Sequence, residues 1–123
     1  MYISVDFDDT IVVDAHHIIL REVPGALETL RELINKGHVL ILETMRSGHD
    51  LHEAIEWLNS KGIIFNYINK NPIQKQWTTS PKIYANIYID NLNVGCPLIY
   101  NKSVYPYVDW IKVRKILVNG GYL

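Results

Sequence analysis

Short apolar runs alternate along the chain with stretches in which apolar residues recur at helical spacing. The runs are typical of buried strands, and they predict strands at residues 1–6, 38–43, 63–68 and 85–90. The periodic stretches predict helices from Pro24 to Gly37, over residues 49–61 and over residues 106–118. Strands that alternate with helices favour right-handed crossovers, so we expect an α/β domain with a mainly parallel sheet between helical layers, a three-layer Rossmann-like arrangement.

Length and composition limit what this architecture can carry. The chain has 123 residues, of which 48% are hydrophobic, and this predicts one domain spanning residues 1–123. The 12 basic and 13 acidic residues give a net charge of −1 and form no run of like charge, which disfavours extended nucleic-acid binding. We find no secretory signal and no apolar segment of about 18 residues. The expected protein is therefore cytoplasmic and has no membrane partner.

The first predicted strand ends in an acidic segment, Asp6-Phe7-Asp8-Asp9-Thr10. At an effective dielectric of about 20, two carboxylates roughly 4 Å apart repel by on the order of 4 kcal/mol. Folding alone would not favour such a cluster. A divalent cation among the carboxylates would offset the repulsion, so the segment indicates an acidic pocket suited to metal binding.

Polar side chains also follow the other predicted strands. These residues are Thr44 and Arg46 after the second strand, Asn69 and Lys70 after the third, and Asp90 and Asn91 after the fourth. Because the carboxyl ends of parallel strands lie at one edge of a sheet, we expect these groups to meet in one crevice, where ligands of such sheets bind.

The same residues resemble the four motifs of the haloacid-dehalogenase (HAD) superfamily of phosphohydrolases. The segment from Asp6 to Thr10 is similar to its D-x-D-x-T signature, Thr44 closes the second motif, Lys70 stands for the third and Asp90 ends the fourth. The match covers about residues 1–95 and is closest in type to short members from bacteria and phages that have no cap domain. A HAD-like fold without a cap is therefore expected.

The resemblance implies a Mg²⁺-dependent phosphatase that forms an aspartyl-phosphate. Asp6 would be the nucleophile, and Asp8 would protonate the leaving oxygen and later deprotonate the hydrolytic water. Thr44 would hydrogen-bond the phosphoryl group, and Lys70 would offset its charge. The metal ligands would be Asp6 and Asp90 through their carboxylates and Asp8 through its main-chain carbonyl, because Mg²⁺ prefers hard oxygen ligands.

The choice of Lys70 rests on geometry, because Lys75 and Lys82 also precede Asp90. Lys70 comes directly off the third strand at the correct edge of the sheet, and Lys75 is its main rival. Lys82 lies eight residues before Asp90. At about 3.3 Å per extended residue it would begin near the far end of the sheet, which favours a structural or solvated role.

Several further residues receive specific expectations. Asn91 stands where similar proteins often have a second acid, so metal affinity is expected to be weaker. Arg46 precedes Ser47-Gly48 at a helix start, a place suited to anions, and is expected to contact substrate, with a surface ion pair as the alternative. His16 and His17 would lie in a hairpin flap beside the site, with solvent exposure favoured over substrate contact.

The expected substrate is a phosphorylated small molecule or macromolecular end, since a capless site is open. A flap or a second subunit would supply enclosure, so a homo-oligomer is possible. Two alternatives stay open: a catalytically quiet phosphate- or metal-binding module on the same scaffold, and a metal-dependent nuclease. Retention of Asp8 argues against the first alternative. The lack of a basic surface, together with Thr44 and Lys70, argues against the second.

Overall fold

A computed structural model describes all residues, 1–123. It contains three α-helices, α1 to α3, and eight strands, β1 to β8, with one short 3₁₀ helix. In chain order the elements are β1 Tyr2–Val5, β2 Val12–Ala15, β3 Ile18–Glu22, α1 Ala26–Asn35, β4 Val39–Leu42, α2 Gly48–Ser60, β5 Tyr67–Ile68, the 3₁₀ helix Pro72–Gln76, β6 Ile87–Ile89, β7 Leu98–Ile99, β8 Tyr107–Val108 and α3 Trp110–Asn119.

Four of the strands form a parallel sheet in the order β5-β4-β1-β6. This confirms the expected mixed α/β class and its parallel sheet, and the arrangement is compatible with a Rossmann-like fold. The register pairs Val5 with Leu42 on one side and with Ile89 on the other. The carboxyl ends of β1, β4 and β6 are therefore level with one another, as the crevice requires.

The third and fourth strands are shorter than expected. Ile63 is fully buried, but its N–H donates to the carbonyl of Leu58 at 3.0 Å and so completes the end of α2 instead of a strand. The N–H of Ala85 donates to the hydroxyl of Tyr88 at 3.1 Å, outside any strand ladder. An apolar run alone does not distinguish a buried strand from a buried segment that directly follows a helix.

All three helices contribute to a core that covers one face of the sheet. Successive strand residues point to opposite faces, and the core takes the alternate strand residues Ile3, Val5, Leu40, Leu42 and Ile89. From the helices it takes Ala26, Leu27, Leu30, Leu33, Ala54, Leu58, Trp110, Val113 and Leu117. The residues between them on the strands, such as Ser4 and Tyr88, point to the other face.

Residues 69–86 cross that other face, and side-chain hydrogen bonds hold them in a compact loop. The Gln74 amide donates to the carbonyls of Ser80 at 3.1 Å and Lys82 at 2.9 Å, and accepts from the N–H of Tyr84 at 2.8 Å. The Tyr88 hydroxyl donates to the carbonyl of Ile83. The chain before β6 is therefore folded back over Tyr88.

Two antiparallel hairpins extend the fold. Strands β2 and β3 form the hairpin flap expected over residues 11–22, with His16 and His17 at positive φ in its turn. Strands β7 and β8 form a second hairpin, which the helical pattern over 106–118 did not predict. Asp109 caps α3 by accepting from the Lys112 N–H at 3.1 Å, so the helix begins only at Trp110. None of the helices combines the length and the apolar character needed to cross a membrane.

Candidate functional site

A cavity of about 490 Å³ opens at the carboxyl ends of β1, β4 and β6. Three predicted site residues, Asp6, Thr44 and Asp90, line it together. Its other polar lining residues are Ser4, Glu43, Asn69, Lys82, Tyr88 and Asn93. The crevice predicted from the strand ends is therefore present, but part of its lining differs from the expected set.

Three carboxylates stand side by side at this edge. Asp6, Glu43 and Asp90 each follow one of the paired strand residues at the ends of β1, β4 and β6. Because side chains alternate along a strand, all three leave the sheet on the face away from the core, on strands about 4.8 Å apart. Glu43 was not expected in the site. Its position opposite Asp6 follows from the alternation of the second strand, the signal that could have found it.

The surroundings of the Asp6 carboxyl disfavour its ionised form. Burial, together with the negative charge of Asp90, raises its pKa to about 7. The Thr10 hydroxyl donates to Asp6 Oδ2 at 3.0 Å and partly offsets the effect. A cation placed between Asp6 and Asp90 would favour the ionised form.

Asn91 links the two acids. With its side-chain amide oriented towards the carboxylates, the amide nitrogen lies 3.0 Å from Asp6 Oδ2 and 3.2 Å from Asp90 Oδ1. The main-chain N–H of Asn91 donates to Thr10 Oγ1 at 3.1 Å. A second aspartate at this position would add repulsion, whereas the amide supplies hydrogen bonds to both carboxylates.

Thr10 is held in place by a hydrogen bond to its main-chain carbonyl. It is fully buried, and its carbonyl accepts from Trp110 Nε1 at 2.6 Å. Trp110 is the first residue of α3, so the helix braces the acidic segment. This contact joins residues 100 positions apart and could not be read from any local pattern.

Asp8 faces away from Asp6 and pairs with Arg46. Arg46 Nε lies 2.9 Å from Asp8 Oδ2, and Nη2 lies 2.8 Å from Oδ1, a bidentate geometry. The Asp8 side chain is 23% exposed and does not line the cavity. Asp6 and Asp8, the expected nucleophile and general acid, are thus held in separate environments.

The expectation that Arg46 contacts substrate does not agree with its position. Its side chain is 0% exposed. Besides Asp8, the guanidinium donates to the carbonyl of Asp50 at 3.1 Å and to that of His17 at 2.9 Å. Its donors are consumed within the protein, because the helix start that looked open to anions is covered by the flap. Arg46 joins the acidic segment, the flap and α2.

Asp9 also lies outside the cavity. It is buried at positive φ, and its carboxylate accepts from the Asp14 N–H at 3.1 Å in the flap. Burial raises the pKa of Asp9, and it does the same for Asp14. The flap is therefore attached to the acidic segment through Asp9 and through Arg46.

The lysine in the cavity is Lys82, and neither Lys70 nor Lys75 lines it. Lys70 and Lys75 border a separate, mostly polar depression formed by residues 69–83. The extended-chain argument against Lys82 was wrong, because the preceding residues fold back over Tyr88 instead of running along the sheet. The Lys82 ammonium lies 5.8 Å from the Tyr88 ring centroid, a cation–π contact.

Thr44 sits at the closed side of the cavity. Its N–H donates to Asn69 Oδ1 at 2.8 Å, and its hydroxyl oxygen accepts from the Arg46 N–H at 3.1 Å. The hydroxyl hydrogen therefore remains available to an acceptor in the cavity. Asn69 has a positive φ of 52° and holds the ends of β4 and β5 together.

The donor atoms of these residues are of the chemical type that suits a hard divalent cation. No three His, Cys, Asp or Glu side chains converge to form a metal site by themselves. Two carboxylates, Asp6 and Asp90, do face one another across the Asn91 amide, and burial together with the negative charge of Asp90 raises the pKa of Asp6. Carboxylate oxygens and a main-chain carbonyl are the donor set that Mg²⁺ prefers.

Fold and site together define an α/β domain with an acidic, lysine-containing cavity at the carboxyl edge of a parallel sheet. A solved structure of a conserved protein from Bacteroides thetaiotaomicron is similar to it, with 37% sequence identity, a TM-score of 0.79, and coverage of 98% of this chain and 91% of that one. The chain belongs to the same family as that conserved protein. No protein-family model and no curated protein matches the chain.

Proposed function

We propose that the protein is a Mg²⁺-dependent phosphatase of the HAD type, with a Rossmann-like HAD fold and no cap domain. The observation that carries the proposal is the convergence of Asp6, Thr44, Lys82 and Asp90 in one cavity. This set combines a nucleophile, a hydroxyl donor, a cation and a second carboxylate. Phosphoryl transfer depends mainly on positioning and electrostatic stabilisation, and these groups supply both.

In the first step an Asp6 carboxylate oxygen attacks phosphorus, the bond from phosphorus to the ester oxygen breaks, and an aspartyl-phosphate forms. The leaving oxygen takes a proton from Asp8. In the second step Asp8 removes a proton from water, whose oxygen attacks phosphorus and releases phosphate and free Asp6. For either transfer the Asp8 carboxyl must turn away from Arg46 towards the cavity.

Lys82 replaces Lys70 in this mechanism. Its side chain lines the cavity, where the ammonium would offset the charge of the phosphoryl oxygens, while the Thr44 hydroxyl would donate to one of them. Asp6, Asp90 and the main-chain carbonyl of Asp8 would hold Mg²⁺. The bound metal would supply charge neutralisation that lets a phosphate dianion approach the carboxylates.

The test is a panel of small phosphomonoesters assayed with and without Mg²⁺, for the parent and for Asp6→Asn. We expect Mg²⁺-dependent release of phosphate that Asp6→Asn abolishes. Turnover that persists in Asp6→Asn would remove Asp6 as the nucleophile. Cleavage of phosphodiesters without cleavage of monoesters would instead favour a nuclease.

One observation favours a second candidate, a catalytically quiet phosphate- or metal-binding module. The bidentate pair of Asp8 with Arg46 keeps the general-acid position out of the cavity. This candidate predicts that inorganic phosphate binds in calorimetry and that no ester is turned over. Burst release of alcohol from a chromogenic ester, without steady turnover, would distinguish a stalled enzyme from such a module.

A further inference from the structure

Glu43 is a carboxylate in the cavity that the proposed chemistry does not use. It is half-buried, and its Oε2 accepts from the Ser4 hydroxyl at 2.5 Å. It forms no salt bridge, whereas the Glu32 carboxylate elsewhere on the molecule pairs with Arg114. A cavity-lining carboxylate that has no cationic partner in the protein is available to a cationic group of a ligand.

The charge of the cavity wall is unbalanced. Among the residues that line it, Asp6, Glu43 and Asp90 are acidic and Lys82 is the one basic side chain. In the proposed reaction Lys82 is occupied by the phosphoryl group. Mg²⁺ held by Asp6 and Asp90 would offset those two carboxylates, so Glu43 would face the substrate without a cation of its own and would favour an alcohol that carries a positive charge.

The cavity has room for more than a phosphoryl group. Its volume of about 490 Å³ lies within the roughly 300–1,000 Å³ typical of small-molecule sites. Ser4 and Tyr88 precede Asp6 and Asp90 by two residues on their strands and share their face. They extend the wall away from the reacting centre, with Glu43 beside it.

We propose that Glu43 determines specificity and that the cavity accepts phosphomonoesters whose alcohol carries an ammonium group. The proposal rests on the proposed function, which fixes where the phosphoryl group lies. The ammonium would donate to the free Oε1 of Glu43, while Ser4 holds Oε2 and fixes the carboxylate plane. A charge-assisted hydrogen bond of this kind discriminates strongly against an alkyl chain.

The test compares three esters that share a three-carbon chain: 3-aminopropyl, 3-hydroxypropyl and propyl phosphate. The parent should cleave the aminopropyl ester with a kcat/KM at least about tenfold above that of the propyl ester, with the hydroxypropyl ester between them. In Glu43→Gln, which keeps the size and the acceptor for Ser4, this ratio should fall towards one. Glu53→Gln, at an exposed glutamate of α2, should keep the parent ratio.

The outcomes separate the two proposals. If the parent cleaves all three esters at similar rates, or if Glu43→Gln keeps the preference, the specificity role of Glu43 is wrong and the phosphatase stands. If the parent cleaves none of them, calorimetry with the aminopropyl and propyl esters still tests the subsite. A Glu43-dependent preference for the ammonium would then support it, and equal or absent binding would overturn it.

Discussion

Replacing Arg46 with methionine removes the buried cation that holds the acidic segment, the flap and α2 together. Methionine fills much of the space of the aliphatic stem but leaves Asp8 without its bidentate partner. The carbonyls of Asp50 and His17 also lose their donor. The contact of the guanidinium with the Phe7 ring, 5.0 Å from its centroid, is lost as well.

The magnitude follows from burial. Removing one partner of a buried ion pair costs about 3–5 kcal/mol, because the other charge stays behind uncompensated. The Arg46 side chain is 0% exposed but that of Asp8 is 23% exposed, so water can partly solvate the abandoned carboxylate. We therefore expect the lower end, about 3 kcal/mol, in the free energy of unfolding measured by urea denaturation.

Arg114 provides the matched control. It pairs with Glu32 at 2.6 Å in similar geometry, but the two side chains are 47% and 33% exposed. Arg114→Met should cost far less, because water screens exposed ion pairs. A cost for Arg46→Met no larger than that for Arg114→Met would refute the reasoning. Asp8→Asn combined with Arg46→Met should recover part of the loss, since the abandoned charge is then removed.

Three further predictions concern the cavity and its support. Lys82→Met should lower kcat/KM by about 10²–10³-fold in the phosphomonoester assay, whereas Lys70→Met should change kcat/KM little. If instead Lys70→Met has the larger effect, Lys70 and not Lys82 is the active-site lysine. The pKa of Asp6 is raised from 3.8 to about 7, so between these pH values the folded protein holds a proton that the unfolded chain has released. The contribution of Asp6 to the free energy of unfolding should therefore fall as pH rises from about 4 to about 7. Without divalent ions, urea unfolding should show this fall in stability for the parent and no such fall for Asp6→Asn. At pH 8, Mg²⁺ should raise the stability of the parent but not that of Asp6→Asn. A parent whose stability does not fall over this pH range would contradict the burial of the Asp6 carboxylate. Trp110→Phe should cost about 1–3 kcal/mol of stability because the Thr10 carbonyl loses its donor, while Trp77→Phe, at a side chain that is 57% exposed, should cost little.

The parallel sheet and its polar edge could be predicted because each depends on local patterns. Apolar runs define strands, and residues that follow parallel strands meet at one edge whatever the loops do. This reasoning brought Asp6, Thr44 and Asp90 together correctly. Applied to the alternation within the second strand, it would also have placed Glu43 beside Asp6.

Lys82 and Arg46 could not be placed by the same reasoning, because their positions depend on how loops fold. The position of Lys82 follows from the Gln74 side chain, which gathers three main-chain groups of the loop, and from the Tyr88 hydroxyl beneath it. Arg46 was expected to contact substrate because it lies at a helix start, a place suited to anions. The flap that covers it is joined to Arg46 through the His17 carbonyl and through an ion pair with Asp14 at 3.7 Å, and no local pattern around Arg46 indicates either partner.

The arrangement around Asp8 ties the proposed chemistry to the flap. Arg46 binds Asp8 and the carbonyl of His17 with the same nitrogen, Nη2, at 2.8 Å and 2.9 Å. A displacement of the flap that removes the His17 acceptor would also disturb the geometry with Asp8, because one planar group serves both. Turning Asp8 into the cavity, which the proton transfers need, would in the same way leave the flap less firmly held. Substrates that press on the flap are therefore expected to affect proton transfer more than phosphate binding.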